Sequence, residues 1–207
     1  MIMSPTGTIV YAITEGRANH TNFLQQKNDI IEKARKAAAC GITHLQVREK
    51  DLSALLQLEL TRSVVEAAAG TGLRILVNGR FDIALAAGAD GVHLPADGLP
   101  VVAVRRHVPQ GFLVGVSTHS VEEAVAAKRG GADMIVFGPV FESPGKGDGV
   151  GLEILREVCR AAAPIPVLAL GGIHENNLLS ALDAGASGFA AIRFLNAFIE
   201  RGERIAI

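Results

Sequence analysis

Eight short β-branched runs alternate with longer segments rich in Ala, Leu, Glu and Lys along the 207 residues, and this beat limits the fold more than any other feature. The strand runs are Ile9–Thr14, His44–Arg48, Ile75–Asn78, Gly91–Leu94, Phe112–Val116, Met134–Phe137, Val167–Ala169 and Gly188–Ile192. The spacing predicts helices over Gln25–Ala39, Ser53–Ala69, Phe81–Ala87, Val101–His107, Val121–Arg129, Leu152–Ala162, Asn176–Asp183 and Leu195–Glu200. Runs such as Met134-Ile135-Val136-Phe137 are apolar throughout, as parallel strands covered on both faces must be. Several helices end in a glycine, in Ala87-Gly88-Ala89-Asp90 and Gly130-Gly131-Ala132-Asp133 among others. A glycine there turns the chain into the next strand at low steric cost.

Eight βα units without a long insertion or linker predict an α/β protein, a single (β/α)8 TIM barrel spanning residues 1–207. An open doubly wound sheet is the alternative. The first βα turn opposes it, because Thr14–Phe23 holds only Gly16 and no GxGxxG fingerprint. The core must be aliphatic, since 49% of residues are hydrophobic and only 4% aromatic. No apolar run approaches the roughly 20 residues that cross a bilayer. The net charge of −1 and the scatter of the basic residues exclude a nucleic-acid groove or an acidic-lipid surface as the main partner. Cys40 and Cys159 stand far apart outside any CxxC spacing and read as small buried apolar residues. Met1–Thr8 lacks the basic and apolar regions of a leader, so the expected setting is the reducing cytoplasm.

In such a barrel the functional groups gather at strand C-termini and on the loops that follow. Gly171-Gly172 follows the seventh strand and opens a helix, so its backbone N–H groups suit a phosphate. Ile192 and Arg193, where the eighth strand gives way to its helix, complete a candidate phosphate grip. Lys146 lies in the glycine-rich loop Phe141–Gly151, which reads as a lid over the site. Arg48 and Lys50 alternate at the end of the second strand and, with Gln46, form a candidate anion clamp. A surface ion pair with Glu49 or Asp51 is the alternative for those two cations. Asn78 and Ser117 stand at the ends of strands three and five as candidate substrate contacts.

His119 precedes Ser120-Val121-Glu122-Glu123, a capping-box pattern for helix five. The positive end of a helix disfavours a second positive charge on the ring, and an uncharged imidazole suits proton shuttling. His93 reads as a packing or orienting residue. The six histidines show no HxH or HExxH spacing, so no zinc site is expected.

Over nearly its whole length the chain resembles the thiamine-phosphate synthase/TenI superfamily. The segments that carry this are Gln46–Leu52, Asn78–Leu85, Gly88–Leu94, Gly115–Ser120 with Glu122-Glu123-Ala124, Phe137–Phe141 and Gly171–Ile173. The resemblance implies a barrel handling a pyrimidine pyrophosphate or a thiazole phosphate, with a homodimer as a family-level expectation. In the synthases of this superfamily, two aspartates in Asn-Asp-Arg and His-Leu-Gly-Gln-x-Asp hold the magnesium that neutralises the leaving pyrophosphate. This sequence has Gly79 and Gly98 at those positions, with Asp97 one residue away. Asn78-Gly79-Arg80, Leu94-Pro95 and the stretch around His119 look closer to the TenI branch of thiazole tautomerases. The expectation is therefore a metal-independent isomerase without cofactor, aromatising a carboxythiazole phosphate with His119 as the acid/base. Gln46, Arg48 and Lys50 look synthase-like, and Arg193 stands where both branches carry a small residue. The alternatives are a magnesium-dependent thiamine-phosphate synthase and a non-enzymatic binder of a thiamine-pathway phosphate.

Overall fold

The computed structural model describes residues 7–205 apart from 144 and 146, so Lys146 and most of Met1–Thr8 lie outside the described residues. Its strands are β1 (Ile9–Ile13), β2 (His44–Val47), β3 (Arg74–Asn78), β4 (Gly91–Leu94), β5 (Leu113–Thr118), β6 (Met134–Phe137), β7 (Val167–Leu170) and β8 (Gly188–Ala191). They pair in parallel, each with the next and β8 with β1, into a closed barrel. The helices are α1 (Phe23–Ala37), α2 (Ala54–Ala68), α3 (Phe81–Ala87), α4 (Val101–Arg105), α5 (Val121–Gly130), α6 (Gly151–Ala162), α7 (Leu178–Asp183) and α8 (Arg193–Arg201). The open-sheet alternative is thereby excluded.

Alternation along each strand divides the apolar residues into two sets. Ile9, Tyr11, Leu76, Met134, Val136, Leu168 and Ala190 fill the barrel interior. Val10, Ala12, Leu45, Val47, Ile75, Val77, Val92 and Val114 face outward and pack under the helices. Burying the outward set is what holds amphipathic helices such as α6, which sinks Leu155, Val158 and Ala162, against the sheet. Cys40 is buried there, as expected, whereas Cys159 is half-buried and burial pushes its thiol up to about 11.

The recurrent Gly-Ala-Asp endings do two jobs. Gly88 and Gly131 take the left-handed conformation that ends α3 and α5. The aspartates that follow tie the bottom of the barrel: Asp90 accepts the Ile75 N–H at 2.8 Å and Asp133 accepts the Val114 N–H at 2.7 Å. Arg74 and Arg105 hold the remaining charge of those carboxylates. Among the described residues no helix is long and apolar enough to cross a membrane.

Candidate active site

The C-terminal end of the barrel carries two groups of residues, on opposite sides of the mouth. On the β7–β8 side, Gly171, Gly172, Ile192 and Arg193 line one cleft of about 440 Å³ with Ser143, Arg17 and Phe194. The backbone there requires glycine. Gly171 has φ +95°, and a Cβ on it would lie 2.5 Å from the Pro139 Cα. Gly172 has φ +64°, and its Cβ would lie 2.3 Å from the Glu142 carbonyl oxygen. The Gly172 N–H donates to Ser143 Oγ at 3.0 Å, so a hydroxyl already stands at that amide. The first turn of α8 opens onto the same cleft at Ile192 and Arg193, adding unpaired N–H groups and a positive end. Asn196, buried behind it, donates to the carbonyls of Ile13 and Ile192 at 2.8 and 2.7 Å and locks the entry of α8 against β1.

On the β2–β3 side the strand geometry differs from the sequence expectation. β2 ends at Val47, so Arg48 and Lys50 do not share a strand face. Arg48 has its N–H on Thr14 Oγ1 at 2.8 Å, and its Nη1 lies 3.6 Å from the Cβ position of Gly16. Lys50 is exposed and lines a separate cleft of about 260 Å³ with Asn78, Gly79 and Arg80. Gln46 is not a free member of a clamp. It is 1% exposed and its Nε2 donates to the Tyr11 hydroxyl at 3.1 Å, one layer down inside the barrel. The proposed pairing with Glu49 is also absent. Glu49 is buried, and its carboxylate accepts the N–H groups of Gly16 and Ala18 at 3.1 and 2.7 Å. That bond fixes the β1–α1 loop and leaves Arg48 without a carboxylate partner among the described residues.

Between the two groups lies a histidine–serine pair. His93, 3% exposed, has Nε2 2.8 Å from Ser117 Oγ, and burial followed by the Arg48 charge pushes the imidazole down to about 3. The ring is uncharged at neutral pH. Among the described residues its Nδ1 has no partner, and it lies 3.2 Å from the Cβ position of Gly115. A buried orphan N–H is rarer than a buried orphan lone pair, so the proton belongs on Nε2, donated to Ser117. Ser117 then keeps its own O–H to offer to a ligand at the mouth. His93 therefore orients, as the sequence indicated, and the residue it orients is a predicted contact.

His119 lies outside both clefts. It is exposed, and its Nδ1 is 2.5 Å from the Gly138 carbonyl oxygen, to which it donates. The helix cap is offset by one residue from the predicted box. Ser120 Oγ accepts the Glu123 N–H, but the Glu123 carboxylate accepts the N–H of His119. The sequence reading missed Ser143 and Arg17 in the cleft beside Gly171-Gly172, and Asn196 behind it. Ser143 was within reach of it, since it opens the glycine-rich loop already singled out.

The family pattern described as "Thiamine monophosphate synthase" matches residues 10–195. The chain belongs to this family. It is 45% identical over 179 residues to a putative thiamine-phosphate synthase of Geobacter sulfurreducens, covering 85% of this chain and 84% of that one. It is 44% identical over 162 residues to the thiamine-phosphate synthase of Methanoculleus marisnigri, covering 77% and 76%. Among solved structures, the thiamine phosphate pyrophosphorylase of Pyrococcus furiosus superposes with a TM-score of 0.77 at 27% identity, covering 94% of this chain and 96% of that one.

These findings overturn the tautomerase expectation. Relatives between 37% and 46% identical over most of the chain carry the synthase name, in one case marked putative. The isomerase reading, and with it the proton shuttle at His119, falls.

Proposed function

We propose that the chain is a transferase of the thiamine-phosphate synthase type, joining a pyrimidine pyrophosphate to a thiazole phosphate. What carries this reading is that relatives 37% to 46% identical over most of the chain bear the synthase name. Gly171-Gly172 and the α8 N-terminus suit a monophosphate, and Arg48 follows β2 with its N–H on Thr14.

In this reading the thiazole phosphate sits on the Gly171-Gly172 loop with Arg193 closing on it, and Ser117 donates to the pyrimidine-bearing substrate. Holding the two rings at one mouth turns a bimolecular encounter into a local one. The bond from the pyrimidine methylene carbon to the pyrophosphate oxygen breaks, and its electron pair leaves with pyrophosphate. The lone pair of the thiazole nitrogen forms the new carbon–nitrogen bond, and no proton moves. His93 stays neutral throughout and holds the Ser117 hydroxyl in its donor orientation.

The magnesium of the related synthases does not fit the residues present. Glycine side chains at 79 and 98 offer no oxygen, and among the described residues no three His, Cys, Asp or Glu side chains are grouped to hold a metal. The test is direct: purified protein, both substrates, and detection of thiamine phosphate by chromatography, run with and without magnesium. Product formation is expected. No condensation in either condition removes the transferase reading.

A further inference from the structure

We infer that Lys33 is a positioning residue for the cleft beside Gly171-Gly172, acting through Glu15 on Arg17 and through Asn196 on the first turn of α8. The inference rests on the transferase reading above, in which that cleft takes the thiazole phosphate.

Lys33 stands on α1 with its side chain 16% exposed. It lines a cleft of about 260 Å³ with Ile30, Ile199 and Glu200, and not the one beside Gly171-Gly172. Its ammonium meets three acceptors. Glu15 Oε2, in the β1–α1 loop, lies at 3.1 Å. Asn196 Oδ1 and Glu200 Oε1, both on α8, lie at 3.2 and 2.9 Å. Three bonds are the full donor capacity of an ammonium, so Lys33 keeps no N–H for a ligand. Its role is to hold other groups.

Two of the three contacts reach the cleft in one further step. Glu15 divides its carboxylate, with Oε2 on Lys33 and Oε1 on Arg17 Nη2 at 2.8 Å, and both Glu15 and Arg17 line the cleft with Gly171-Gly172. Arg17 is exposed, and a long exposed side chain loses rotamer freedom when a ligand orders it. An acid anchored by Lys33 orders it beforehand. On the other arm, the ammonium fixes which end of the Asn196 amide is the oxygen. The amide nitrogen is thereby directed to the carbonyls of Ile13 and Ile192, and Ile192 is the N-cap of α8 and lines the cleft. Removing the ammonium frees both arms and leaves the Glu15 carboxylate short of one cation beside an anion. A phosphate then meets a looser and more negative cleft.

The experiment titrates inorganic phosphate calorimetrically into the full chain and measures KM for each substrate in the condensation assay. Lys33→Met should weaken phosphate binding by about threefold to tenfold, the worth of one ordinary hydrogen bond. It should raise KM for the thiazole phosphate by a similar factor, with kcat and KM for the pyrimidine pyrophosphate changed by less than about twofold. Lys33→Arg, which keeps the charge, should bind phosphate more tightly than Lys33→Met. Lys27→Met is the control for lost stability: it breaks another ion pair of α1, with Glu59 at 2.7 Å, and should leave phosphate binding as in the wild type. Phosphate binding unchanged in Lys33→Met, or weakened equally in Lys27→Met, overturns the inference. So does a change that falls on kcat alone or on both KM values alike, the mark of a merely structural role. No phosphate binding by the wild type removes the phosphate reading of the cleft and the inference with it. Absence of any condensation removes the transferase reading, and the phosphate titration still decides the role of Lys33.

Discussion

Acid should destabilise this barrel through His93 well before its carboxylates are protonated. The ring is held near 3 in the folded protein against 6.5 in the unfolded chain, by burial first and by the Arg48 charge second. The folded value is the lower one, so the unfolded chain binds a proton that the folded chain refuses. The stability this provides is complete above about pH 6.5 and is lost as the pH falls from there towards 3. Each pH unit in that window costs about 1.4 kcal/mol, so a fall from pH 6.5 to pH 5 costs about 2 kcal/mol from His93 alone. His44 acts in the same direction, lowered to about 4 by burial and then by Arg74, against a smaller opposing pull from Asp90. The carboxylates with depressed values, Asp82, Glu122 and Glu200, lose their share only near and below their unfolded values of 3.8 and 4.5. The interval from about pH 5 to 6.5 therefore isolates the histidines.

His93→Gln is the appropriate perturbation, because an amide keeps a donor towards Ser117 and does not titrate. Urea unfolding of both proteins at several pH values across that interval reads the effect as the fall in unfolding free energy. The variant should lose about 2 kcal/mol less than the wild type between pH 6.5 and 5, whatever its stability at pH 7. An identical fall in both proteins would refute the claim that the buried ring stays neutral. It would also remove the argument for the Ser117 donor orientation, which depends on that neutrality.

Gly172→Ala places a methyl 2.3 Å from the Glu142 carbonyl in a left-handed backbone, so urea unfolding should show a loss of about 2–4 kcal/mol. Inorganic phosphate should bind more weakly to the folded fraction, and unchanged stability and binding would contradict the geometry. Asn196→Leu removes the donor to the Ile13 carbonyl inside the fold and should cost about 1–3 kcal/mol by the same assay. Glu49→Ala frees the Gly16 and Ala18 amides, for a loss of about 2 kcal/mol and faster amide hydrogen exchange in the β1–α1 loop.

The barrel was legible because its signals are local and repeat eight times: an apolar run, a glycine after each of several helices, and polar residues at one end of every strand. The boundaries moved by one or two residues, and one such movement mattered. Ending β2 at Val47 instead of Arg48 takes Arg48 and Lys50 off a shared strand face, and Lys50 lines the cleft beside Gly79 without Arg48. That Gly171-Gly172 must be glycine was legible from its place between a strand and a helix, and the close approach of Pro139 and Glu142 supplies the steric reason. What sequence spacing does not convey is which polar groups are already satisfied by distant partners. Gln46 spends its amide on Tyr11 and Glu49 its carboxylate on two amides in the preceding loop, more than thirty residues away in both cases. His119 drew attention by its helix-cap setting, yet its Nδ1 is held by the Gly138 carbonyl and its ring is outside the clefts.

Glycines at 79 and 98 remove carboxylates that could hold a metal, and that loss does not by itself remove a reaction. A transferred pyrophosphate needs positive charge where negative charge develops, and magnesium is one of several ways to supply it. A half-buried cation with no ion-pair partner among the described residues fits a barrel mouth that takes an anionic ligand. Arg48 is such a residue, and the cost of leaving a half-buried guanidinium without an ion-pair partner is intelligible when an anionic ligand supplies that partner. The same reasoning separates the two glycines from the cations by kind. A Cβ on Gly98 would crowd Pro95 at 3.0 Å whereas one on Gly79 would meet it only at 3.9 Å, and Lys50 keeps a positive charge in the cleft beside Gly79.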